Sequence, residues 1–387
     1  MPCSCRRRRR TRGLARGRFR PAGHAVNPES IGRCLEEGVR TGVFPGAAAT
    51  VLEGGEVAFE GAAGWLDEPA GRPVTHDTIY DLASLTKPLV TAACVLRLAA
   101  AGILAIDQPV VRWVAEFGAG DERRSRVTVD DLLRHRSGLP AWRPYFAGCP
   151  PVATAETRAS VAARAAAEPL EREPRAQVVY SDVGYLLLGL LLERAAQSRL
   201  DVLAEREVLS PLALRDCGFA DLVDGRWRPP ADRTAPTGVC LWRRTVVRGV
   251  VQDENAFAMG GIAGHAGLFG TARAVARIGQ AWLEAWSGRG SWLEPELVRA
   301  AWTPPPGGTT WVAGWDTPTP GCSSAGTRVS QRAVGHLGFT GPSLWIDLDR
   351  EVVVAVACNR VHPDRHNEAI RRWRPVFHDA VFGAAGE

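Results

Sequence analysis

The sequence predicts an α/β (α+β) protein, in which an antiparallel sheet flanked by helices is formed by both chain ends and carries an inserted all-helical lobe. The 387 residues include 45% hydrophobic residues and 13 tryptophans, enough for a large buried core. Strand patterns occur near both ends of the chain, and helix patterns fill the stretch between them. Such an arrangement places an active site in the cleft between the two lobes.

The two ends of the chain carry matching patterns. The first predicted elements are an amphipathic helix over residues 27–40 and a hairpin over 47–59. The last predicted elements are strands over 343–348 and 351–356, followed by a helix over 364–382. We expect the strands from both ends to pair in one antiparallel sheet.

The middle of the chain shows helical signals and no internal repeat. Thr128 stands before an acidic first turn, as an N-cap residue does, and predicts a helix from there. The run 183–197 is strongly apolar, and the run 272–286 is amphipathic with a helical period. These segments form the predicted helical lobe.

Charge is unevenly distributed along the chain. Residues 1–20 contain nine arginines and no acidic residue, whereas the rest contains 38 basic and 42 acidic residues. We therefore predict a disordered Arg-rich tail over 1–22 and one folded domain over 23–387, with a sheet lobe from about 27–80 and 310–387. A tail that targets nucleic acid or a membrane is the alternative. The mildly acidic folded domain is not expected to bind nucleic acid.

The chain shows no signs of export or of a membrane span. The tail is not followed by the apolar core of a secretory signal, and we find no apolar run of the length that a membrane span needs. Nine cysteines are an odd number, and those beyond the tail lack the paired spacing of metal sites. We expect a cytoplasmic protein in a reducing environment.

Lys87 is the only lysine among 47 basic residues, and it follows Ser84 by three positions. Burial can remove the proton from an ammonium group but not from a guanidinium, so a single lysine indicates a neutral amine. A serine hydroxyl needs an adjacent base to act as a nucleophile, and residues three apart on a helix share a face. We predict that Lys87 activates Ser84. The alternative is a helix cap followed by a chance lysine.

The position of Ser84 follows from its neighbours. Proline is tolerated only in the first turn of a helix, so Pro88 places the helix start near Ser84. Residues 89–101 are apolar almost all round, as in a helix buried inside a large domain. The serine is therefore expected at the mouth of a core helix, where the helix dipole favours a developing alkoxide.

Tyr180 is one of four tyrosines and stands directly before the apolar run 183–197. Ser181 or Asp182 is expected to cap that helix, but capping gives no reason for a tyrosine. A phenol whose pKa is lowered by a nearby amine can act as a general base. We therefore predict a catalytic role for Tyr180.

Glycines bracket a histidine, His336, directly before the predicted strand 343–348. Taken alone, a histidine in this setting is a hydrogen-bonded loop residue. The same interpretation applies to His135 and His265, which we expect to make structural hydrogen bonds.

Other patterns predict no cofactor and no metal. The glycine-rich run 260–270 is expected to form a cleft wall, because a phosphate-binding Walker loop needs its own lysine. His362 and His366 have the spacing of a zinc helix, but Pro363 lies between them and no glutamate follows the first histidine. Asp253 and its acidic neighbour are interpreted as a turn or loop anchor, with a catalytic carboxylate pair as the alternative.

Three segments, taken together and in order, resemble the catalytic motifs of the serine β-lactamase and penicillin-binding-protein superfamily. They are Ser84-Leu85-Thr86-Lys87, Tyr180-Ser181-Asp182 and His336-Leu337-Gly338. The similarity is closest to the class C-like esterase and D-aminopeptidase or DD-peptidase branch. It extends over about residues 27–380, with further similar segments at 132–139, 210–214 and 259–270.

The resemblance implies a role for each of these residues. Ser84 would be the acylated nucleophile, Lys87 would help to deprotonate it, and Tyr180 would pass the proton to the leaving group and later activate water. The backbone N–H groups of Ser84 and Phe339 would form the oxyanion hole. Substrate binding would involve Asp182, His336 and Gly338.

Two departures from the superfamily pattern affect the expected substrate. The second motif usually ends in asparagine, and Asp182 would favour a charged Lys87 unless it points into the helix cap. The third motif often begins with lysine, where this chain has His336, followed by Leu337 in place of a common hydroxyl residue. Both departures weaken the case for a substrate that must carry a carboxylate.

We therefore predict a metal-independent serine hydrolase that transfers an acyl group to water through an acyl-Ser84 intermediate. Its partner would be a small-molecule ester, amide or peptide, in the manner of a carboxylesterase or D-Ala peptidase with possible weak β-lactamase activity. The alternative is a catalytically idle binding or scaffold protein that retains the fold.

Overall fold

Both ends of the chain meet in one antiparallel sheet, which confirms the predicted fold class. The computed structural model describes residues 26–67 and 71–383, so the predicted tail over 1–22 lies outside the described residues. The strands, numbered along the chain, are β1 (Gly46–Glu53), β2 (Glu56–Asp67), β3 (Arg72–Pro73), β4 (Tyr80–Asp81), β5 (Cys217–Phe219), β6 (Pro236–Cys240), β7 (Thr245–Arg248), β8 (Leu268–Gly270), β9 (Trp311–Val312), β10 (Trp315–Asp316), β11 (Val334–Leu337), β12 (Ser343–Asp347) and β13 (Val352–Cys358).

The main sheet has eight strands in the order β3-β2-β1-β13-β12-β11-β10-β9. Strand β13 lies near its centre, between β12 and β1, and Val354 of β13 lies opposite Val51 of β1. Alternate residues of β13 enter two different cores: Val354 packs with one cluster, and Val353 and Ala355 pack with the other. A strand buried on both faces needs apolar residues at nearly every position, which explains the unbroken Val-Ala run of β13.

Helices cover both faces of this sheet. The helices of the described chain, numbered in order, are α1 (Pro28–Arg40), α2 (Ala93–Ala100), α3 (Val129–Leu133), α4 (Ala155–Ala167), α5 (Asp182–Ala196), α6 (Leu200–Ala204), α7 (Glu254–Ala258), α8 (Ala272–Ser287), α9 (Pro295–Trp302) and α10 (Ile370–Val381). Helices α1 and α10 pack on one face, and α8 packs on the other. Gly279 allows this second contact, because a Cβ there would lie 2.8 Å from the side chain of Val353.

Most predicted elements lie where the sequence placed them. Asn27 caps α1, and Thr128 and Asp131 form a capping box at α3. The last helix begins at Ile370, six residues later than predicted. The reason is that the side chains of Asp364 and Asn367 accept backbone N–H groups in turns before the helix can start.

The inserted lobe is mainly helical, but it also contains short strands. Strands β4, β8 and β5 form a three-stranded sheet, and β6 pairs with β7 in a hairpin. Short 3-10 turns occur at Ala83–Leu85, Val110–Arg112, Ala115–Gly118, Glu122–Arg126, Tyr145–Gly148 and Ala231–Arg233, and π-helical turns at Lys87–Ala92 and Glu205–Leu209. The β4–β8 pair lies directly before the Ser84 turn, so this small sheet anchors the predicted nucleophile.

One helical stretch of the described chain, Ala83–Ala100, is long and apolar enough to cross a membrane, a feature that the sequence analysis missed. In the fold 78% of this stretch is buried inside the protein. It packs in the larger apolar cluster together with α5 and α8. This burial is typical of the core helix of a globular domain.

Candidate active site

The turn that carries Ser84 is held in place by a buried carboxylate. Ala83 has a left-handed backbone with φ of 46°, which is unusual for a residue other than glycine. The Asp81 carboxylate accepts hydrogen bonds from the backbone N–H of Ala83 at 2.8 Å and of Gln252 at 2.6 Å. Burial raises the pKa of Asp81 to about 6. This residue, which the sequence analysis did not select, joins the Ser84 turn to the neighbouring loop.

Lys87 reaches Ser84 from the first turn of the core helix, as predicted. Its Nζ lies 2.9 Å from Ser84 Oγ and donates to the backbone carbonyl of His265 at 3.2 Å. The helix is wound as a π-helix from Lys87 to Ala92 before it becomes α2, a wider winding than the sequence predicts. The side chain of Lys87 is fully buried, so its charge depends on its immediate neighbours.

The prediction of a neutral Lys87 is wrong for the enzyme without substrate. Nζ of Lys87 lies 2.7 Å from Oδ1 of Asp182. Burial alone would lower the pKa of Lys87, but Asp182 and Tyr180 outweigh this effect and the pKa lies above its ordinary value. Asp182 is free to make this ion pair because the Ser181 hydroxyl already caps α5 by accepting from the N–H of Gly184 at 3.0 Å. Lys87 is therefore an ammonium ion at rest.

Tyr180 lies beside Lys87 and lines the same cavity as Ser84. The Lys87 ammonium nitrogen is 4.9 Å from the centre of the Tyr180 ring. Burial raises the pKa of Tyr180 above its ordinary value, although the positive charge of Lys87 acts in the opposite direction. The phenol is therefore protonated at rest. The expectation that the lysine lowers this pKa below the ordinary value is not met in the resting site.

Three aromatic or heterocyclic rings surround Tyr180. The ring centre of His135 lies at 4.7 Å, that of Trp311 at 4.9 Å and that of His336 at 5.9 Å. His135 Nδ1 accepts the backbone N–H of Ser181 at 3.0 Å, which confirms a structural hydrogen bond for this histidine. Burial lowers the pKa of His135 far below its ordinary value, so the ring is neutral. This packing fixes the position of the Tyr180 ring.

His336 is a buried neutral residue at the end of β11. Its Nδ1 lies 2.9 Å from the carbonyl oxygen of Leu337, and burial lowers its pKa to about 3. A lysine at this position would present a positive charge to the substrate, whereas His336 presents none. The departure from the superfamily pattern therefore changes the electrostatic character of the site.

The segment after β11 packs tightly against the Ser84 turn. A Cβ on Gly338 would lie 2.7 Å from the carbonyl oxygen of Leu82, so only glycine allows this approach. The hydroxyl of Thr340 donates to the carbonyl oxygen of Asp81 at 2.7 Å. The two segments that carry the predicted oxyanion donors, Ser84 and Phe339, therefore face each other across a fixed contact.

Two arginines fix the turn from its other side. The Nε of Arg360 donates to the carbonyl oxygen of Phe339 at 2.8 Å. The Nη2 of Arg374, on α10, donates to the carbonyl oxygens of Gly341 at 2.7 Å and Pro342 at 3.3 Å. The sequence analysis missed both arginines, since neither forms a motif with nearby residues.

The predicted residues surround one cavity of about 1200 Å³. Six of them line it, namely Ser84, Tyr180, Asp182, His336, Gly338 and Phe339, with Lys87 buried directly behind Ser84. His265 and Ala266 also line the cavity, in agreement with the predicted glycine-rich wall. Trp311 and Asp316 are further lining residues that the sequence analysis missed.

Asp253 serves as a structural anchor in the cavity wall. Its carboxylate caps α7 by accepting the N–H of Ala256 at 2.8 Å and lies 2.8 Å from Nε2 of His265. The contact with His265 lowers the pKa of Asp253 to about 2, against the effect of burial. The predictions of a loop anchor and of a structural histidine are therefore confirmed.

The described part of the chain contains no group of three or more His, Cys, Asp or Glu side chains that could hold a metal ion. His362, one half of the zinc-like pair, instead places Nδ1 2.9 Å from the carbonyl oxygen of Thr237.

A mixed α/β domain with a serine, a lysine and a tyrosine in contact at one cavity defines a class of active-site serine hydrolases. The beta-lactamase family model matches residues 31–376, and the chain belongs to the beta-lactamase family. It is a serine hydrolase within the serine β-lactamase and penicillin-binding-protein superfamily.

Individual proteins agree with this assignment. The chain is 30% identical over 362 residues to an N-acetylmuramyl-L-alanine amidase from Bacillus subtilis (strain 168), covering 86% of this chain and 80% of that protein. It is 35% identical over 212 residues to esterase EstB from Burkholderia gladioli, covering 51% and 52% of the two chains. The solved structure of EstCE1, a hydrolase with promiscuous acyltransferase activity, has a TM-score of 0.75 at 20% identity and covers 92% of this chain and 98% of that one.

Proposed function

We propose that this chain hydrolyses a small ester or amide through an acyl-Ser84 intermediate. The observation that carries the proposal is the 2.9 Å contact between Ser84 Oγ and Nζ of the only lysine, at the wall of a large cavity. A hydroxyl becomes a useful nucleophile when a base can take its proton at hydrogen-bonding distance. The catalytic roles of Ser84, Lys87 and Tyr180 are part of this proposal.

The proposed proton path begins with the Lys87–Asp182 ion pair. Substrate that fills the cavity displaces water, and a dry environment favours the neutral form of an ion pair. Lys87 then passes a proton to Asp182, and the neutral amine accepts the proton of Ser84 as Oγ attacks the substrate carbonyl. Tyr180 delivers a proton to the leaving group, and it later helps to activate the water that releases the acyl group.

The developing oxyanion is assigned to the backbone N–H groups of Ser84 and Phe339. The fixed contact between Gly338 and Leu82 supports this assignment, since it holds the two donor segments against each other. Preorganised donors of this kind stabilise the tetrahedral intermediate, and the loss of one costs about 10²–10³ in rate.

The neutral third motif favours substrates without a carboxylate next to the reacting carbonyl. His336 replaces the lysine that commonly supplies positive charge, and its low pKa keeps it neutral. The names of the relatives, an esterase and an amidase, are compatible with an ester or amide substrate. An idle scaffold is disfavoured because it has no need for a buried Lys87–Asp182 pair, which is costly to bury without a use.

A side-by-side turnover assay tests the proposal. A short-chain aryl ester, a D-Ala-D-Ala peptide and a chromogenic cephalosporin are compared with wild-type protein and with Ser84→Ala. We expect the neutral ester to have the highest kcat/KM and the Ser84→Ala variant to turn over none of the three. Ester turnover that survives in Ser84→Ala would show that another group performs the reaction.

A further inference from the structure

Most carboxylates that line the cavity already have a cationic partner. The ion pairs are Asp182 with Lys87 at 2.7 Å, Glu254 with Arg365 at 3.0 Å and Glu368 with Arg371 at 2.9 Å, and the Asp253 carboxylate is instead held by a 2.8 Å contact with the His265 ring and by the N–H of Ala256. Asp316 is the exception within residues 26–67 and 71–383: its carboxylate accepts the N–H of Thr317 at 3.0 Å but has no cation within ion-pair distance. Burial raises the pKa of Asp316, as expected for a partly dehydrated carboxylate.

Asp316 stands close to the proposed reaction centre. In the β9–β10 hairpin it lies opposite Trp311, and side chains of directly opposed residues share one face of a sheet. The Trp311 ring lies 4.9 Å from that of Tyr180 and 5.6 Å from that of His336. The adjacent Trp315 is fully buried, so this short hairpin is held firmly in place.

The same wall offers a second acceptor at His336. Because Nδ1 is directed at the carbonyl oxygen of Leu337, it carries the ring proton, and Nε2 of this neutral ring is an acceptor. Nε2 is buried and has no hydrogen-bond partner in the described part of the chain. A carboxylate, an aromatic face and a free lone pair therefore occur together, and all three favour a positively charged donor.

The arginines that line the cavity do not remove its preference for a positively charged group. Arg360 and Arg374 direct their N–H groups at main-chain carbonyl oxygens of the turn 338–342 and of nearby loops. These hydrogen bonds fix the backbone, and neither arginine forms an ion pair with Asp316. Asp316 thus remains the one lining carboxylate of the described chain whose charge a ligand would have to balance.

We propose that the substrate of this enzyme carries a protonated amine, which binds between the Asp316 carboxylate and the Trp311 ring with His336 Nε2 as a further acceptor. This inference rests on the proposed function, since it assigns the substrate class of the same cavity. Where the third motif begins with lysine, the protein supplies the positive charge. In this chain the substrate would supply the positive charge and Asp316 the negative one. Substrates with an ammonium group are favoured, and those with a carboxylate at the same place are rejected.

The test compares three aryl ester series of equal length. One series ends in a methyl group, one in an ammonium group and one in a carboxylate, each with several acyl chain lengths. At the optimal length we expect kcat/KM of the ammonium ester to exceed that of the methyl ester by about tenfold, the effect of one additional ionic contact of about 1.4 kcal/mol. The carboxylate ester should be the poorest of the three.

Two variants test whether Asp316 is responsible for the preference for the ammonium ester. Asp316→Asn keeps the size of the side chain but removes its charge, and it should bring the ammonium-to-methyl ratio close to one. Glu368→Gln removes a charge from the same cavity where the carboxylate is already paired, and it should leave the ratio as in the wild type. An ammonium preference that is absent at every length, or that persists in Asp316→Asn, overturns the inference.

A binding measurement separates this inference from the proposed function. Ligand-observed NMR with butylammonium, butanol and butyrate requires no turnover. We expect butylammonium to bind the wild-type protein and to lose binding in Asp316→Asn, whereas equal binding of all three compounds contradicts the inference.

Failure of ester hydrolysis together with Asp316-dependent ammonium binding would overturn the ester mechanism alone. Hydrolysis of methyl-ended esters without an ammonium preference would overturn only the substrate assignment.

Discussion

At the scale of single residues, the site depends on the charge of Lys87. The buried ammonium contacts Ser84, Asp182 and the carbonyl oxygen of His265 at once. An ammonium that donates to a hydroxyl stabilises the resting site but cannot accept the hydroxyl proton. In the proposed mechanism one proton must therefore leave Lys87 before Ser84 can attack, and three residue-scale predictions test this requirement.

The first prediction concerns Ser84. Ser84→Ala should abolish labelling by a fluorophosphonate probe, because the nucleophilic oxygen is gone. The loss of one hydrogen bond to Lys87 should change the free energy of unfolding by only about 1 kcal/mol, since the hydroxyl of Ser84 does not cap the helix. Probe labelling and thermal unfolding of the two proteins check both parts. Undiminished labelling of the variant would remove Ser84 from the mechanism.

The second prediction compares two substitutions of the lysine. Lys87→Arg should lower kcat/KM nearly as much as Lys87→Ala, because a guanidinium keeps the charge but does not release a proton at working pH. A loss of about 10² or more in each variant corresponds to about 2.7 kcal/mol of transition-state stabilisation. If the lysine acted only through its charge, arginine would restore much of what alanine loses.

The third prediction concerns Asp182, which raises the pKa of Lys87. Asp182→Asn leaves burial as the dominant effect on that pKa, so the amine becomes neutral at lower pH. The acid limb of the kcat/KM profile should then shift to lower pH by about one unit or more. Glu368→Gln is a matched control, since that residue lines the cavity but pairs with Arg371. An acid limb that stays in place would mean that Lys87 is not the titrating base.

At the scale of secondary structure elements, the proposed mechanism requires a fixed contact between the Ser84 turn and the end of β11. Asp81 holds the first segment, whereas Arg360 and Arg374 hold the second. Thr340 and Gly338 then join the two segments directly. These links come from four separate parts of the chain, which explains why no local motif predicts them.

The fourth prediction tests this contact with a single methyl group. Gly338→Ala would place a Cβ 2.7 Å from the Leu82 carbonyl oxygen and 2.6 Å from Pro342 Cγ, so the oxyanion segments must move apart. We expect kcat to fall by about tenfold to a hundredfold, because displacements of about 1 Å have effects of that size.

Gly184→Ala provides the control for this prediction. Gly184 lies on α5, and its Cβ would lie 3.5 Å from the side chain of Leu132 and 3.6 Å from that of Ser181, which is ordinary contact. This variant should retain activity and gain some helix stability, by about 1 kcal/mol. Equal activity in both alanine variants would contradict the proposed role of the close contact.

At the scale of the whole molecule, stability should depend on buried neutral histidines. Burial lowers the pKa of both His336 and His378 to about 3, against an ordinary value of 6.5. Neither ring nitrogen of His378 has a hydrogen-bond partner among the described residues. Below pH 6.5 the unfolded chain takes up protons that the folded protein does not. The contribution of these two neutral histidines to the free energy of unfolding is therefore fully present above pH 6.5 and is lost as the pH falls towards 3.

The fifth prediction follows from this loss of stability in acid. Between pH 6 and 4 the free energy of unfolding should decrease with acidification, and His378→Phe should reduce the slope by up to about 1.4 kcal/mol per pH unit. Chemical denaturation at several pH values measures the slope. His76→Gln, a change at an exposed histidine, should leave it unaltered. A slope that is the same in all three proteins would show that His378 does not take part in acid unfolding.

The sequence predicted the sheet, the main helices and the group of residues around Ser84, because these depend on local patterns and ordered motifs. It did not predict the charge of Lys87, which depends on the direction of Asp182. That direction follows from Ser181 taking the capping role, a choice between two adjacent residues that spacing does not reveal. The hairpin with Trp311 and Asp316 was missed because strands of two residues have no alternation to detect.

Several expectations stay predictions. They are the disordered tail over 1–22, the exact domain limits, the cytoplasmic location, the absence of nucleic-acid binding and the individual roles of the site residues. The biochemical class does not depend on them, since it follows from the family to which the chain belongs.

The pairing of Val51 with Val354 also determines when the enzyme can begin to work. A ribosome releases β1 and Ser84 long before it has synthesised β11 and β13. During that interval the hairpin formed by β1 and β2 has an open edge, and the leucine-rich helix α5 lacks part of its covering. We therefore expect the site around Ser84 to be completed only after β11 and β13 have been synthesised, and the nascent chain to be prone to aggregation until then.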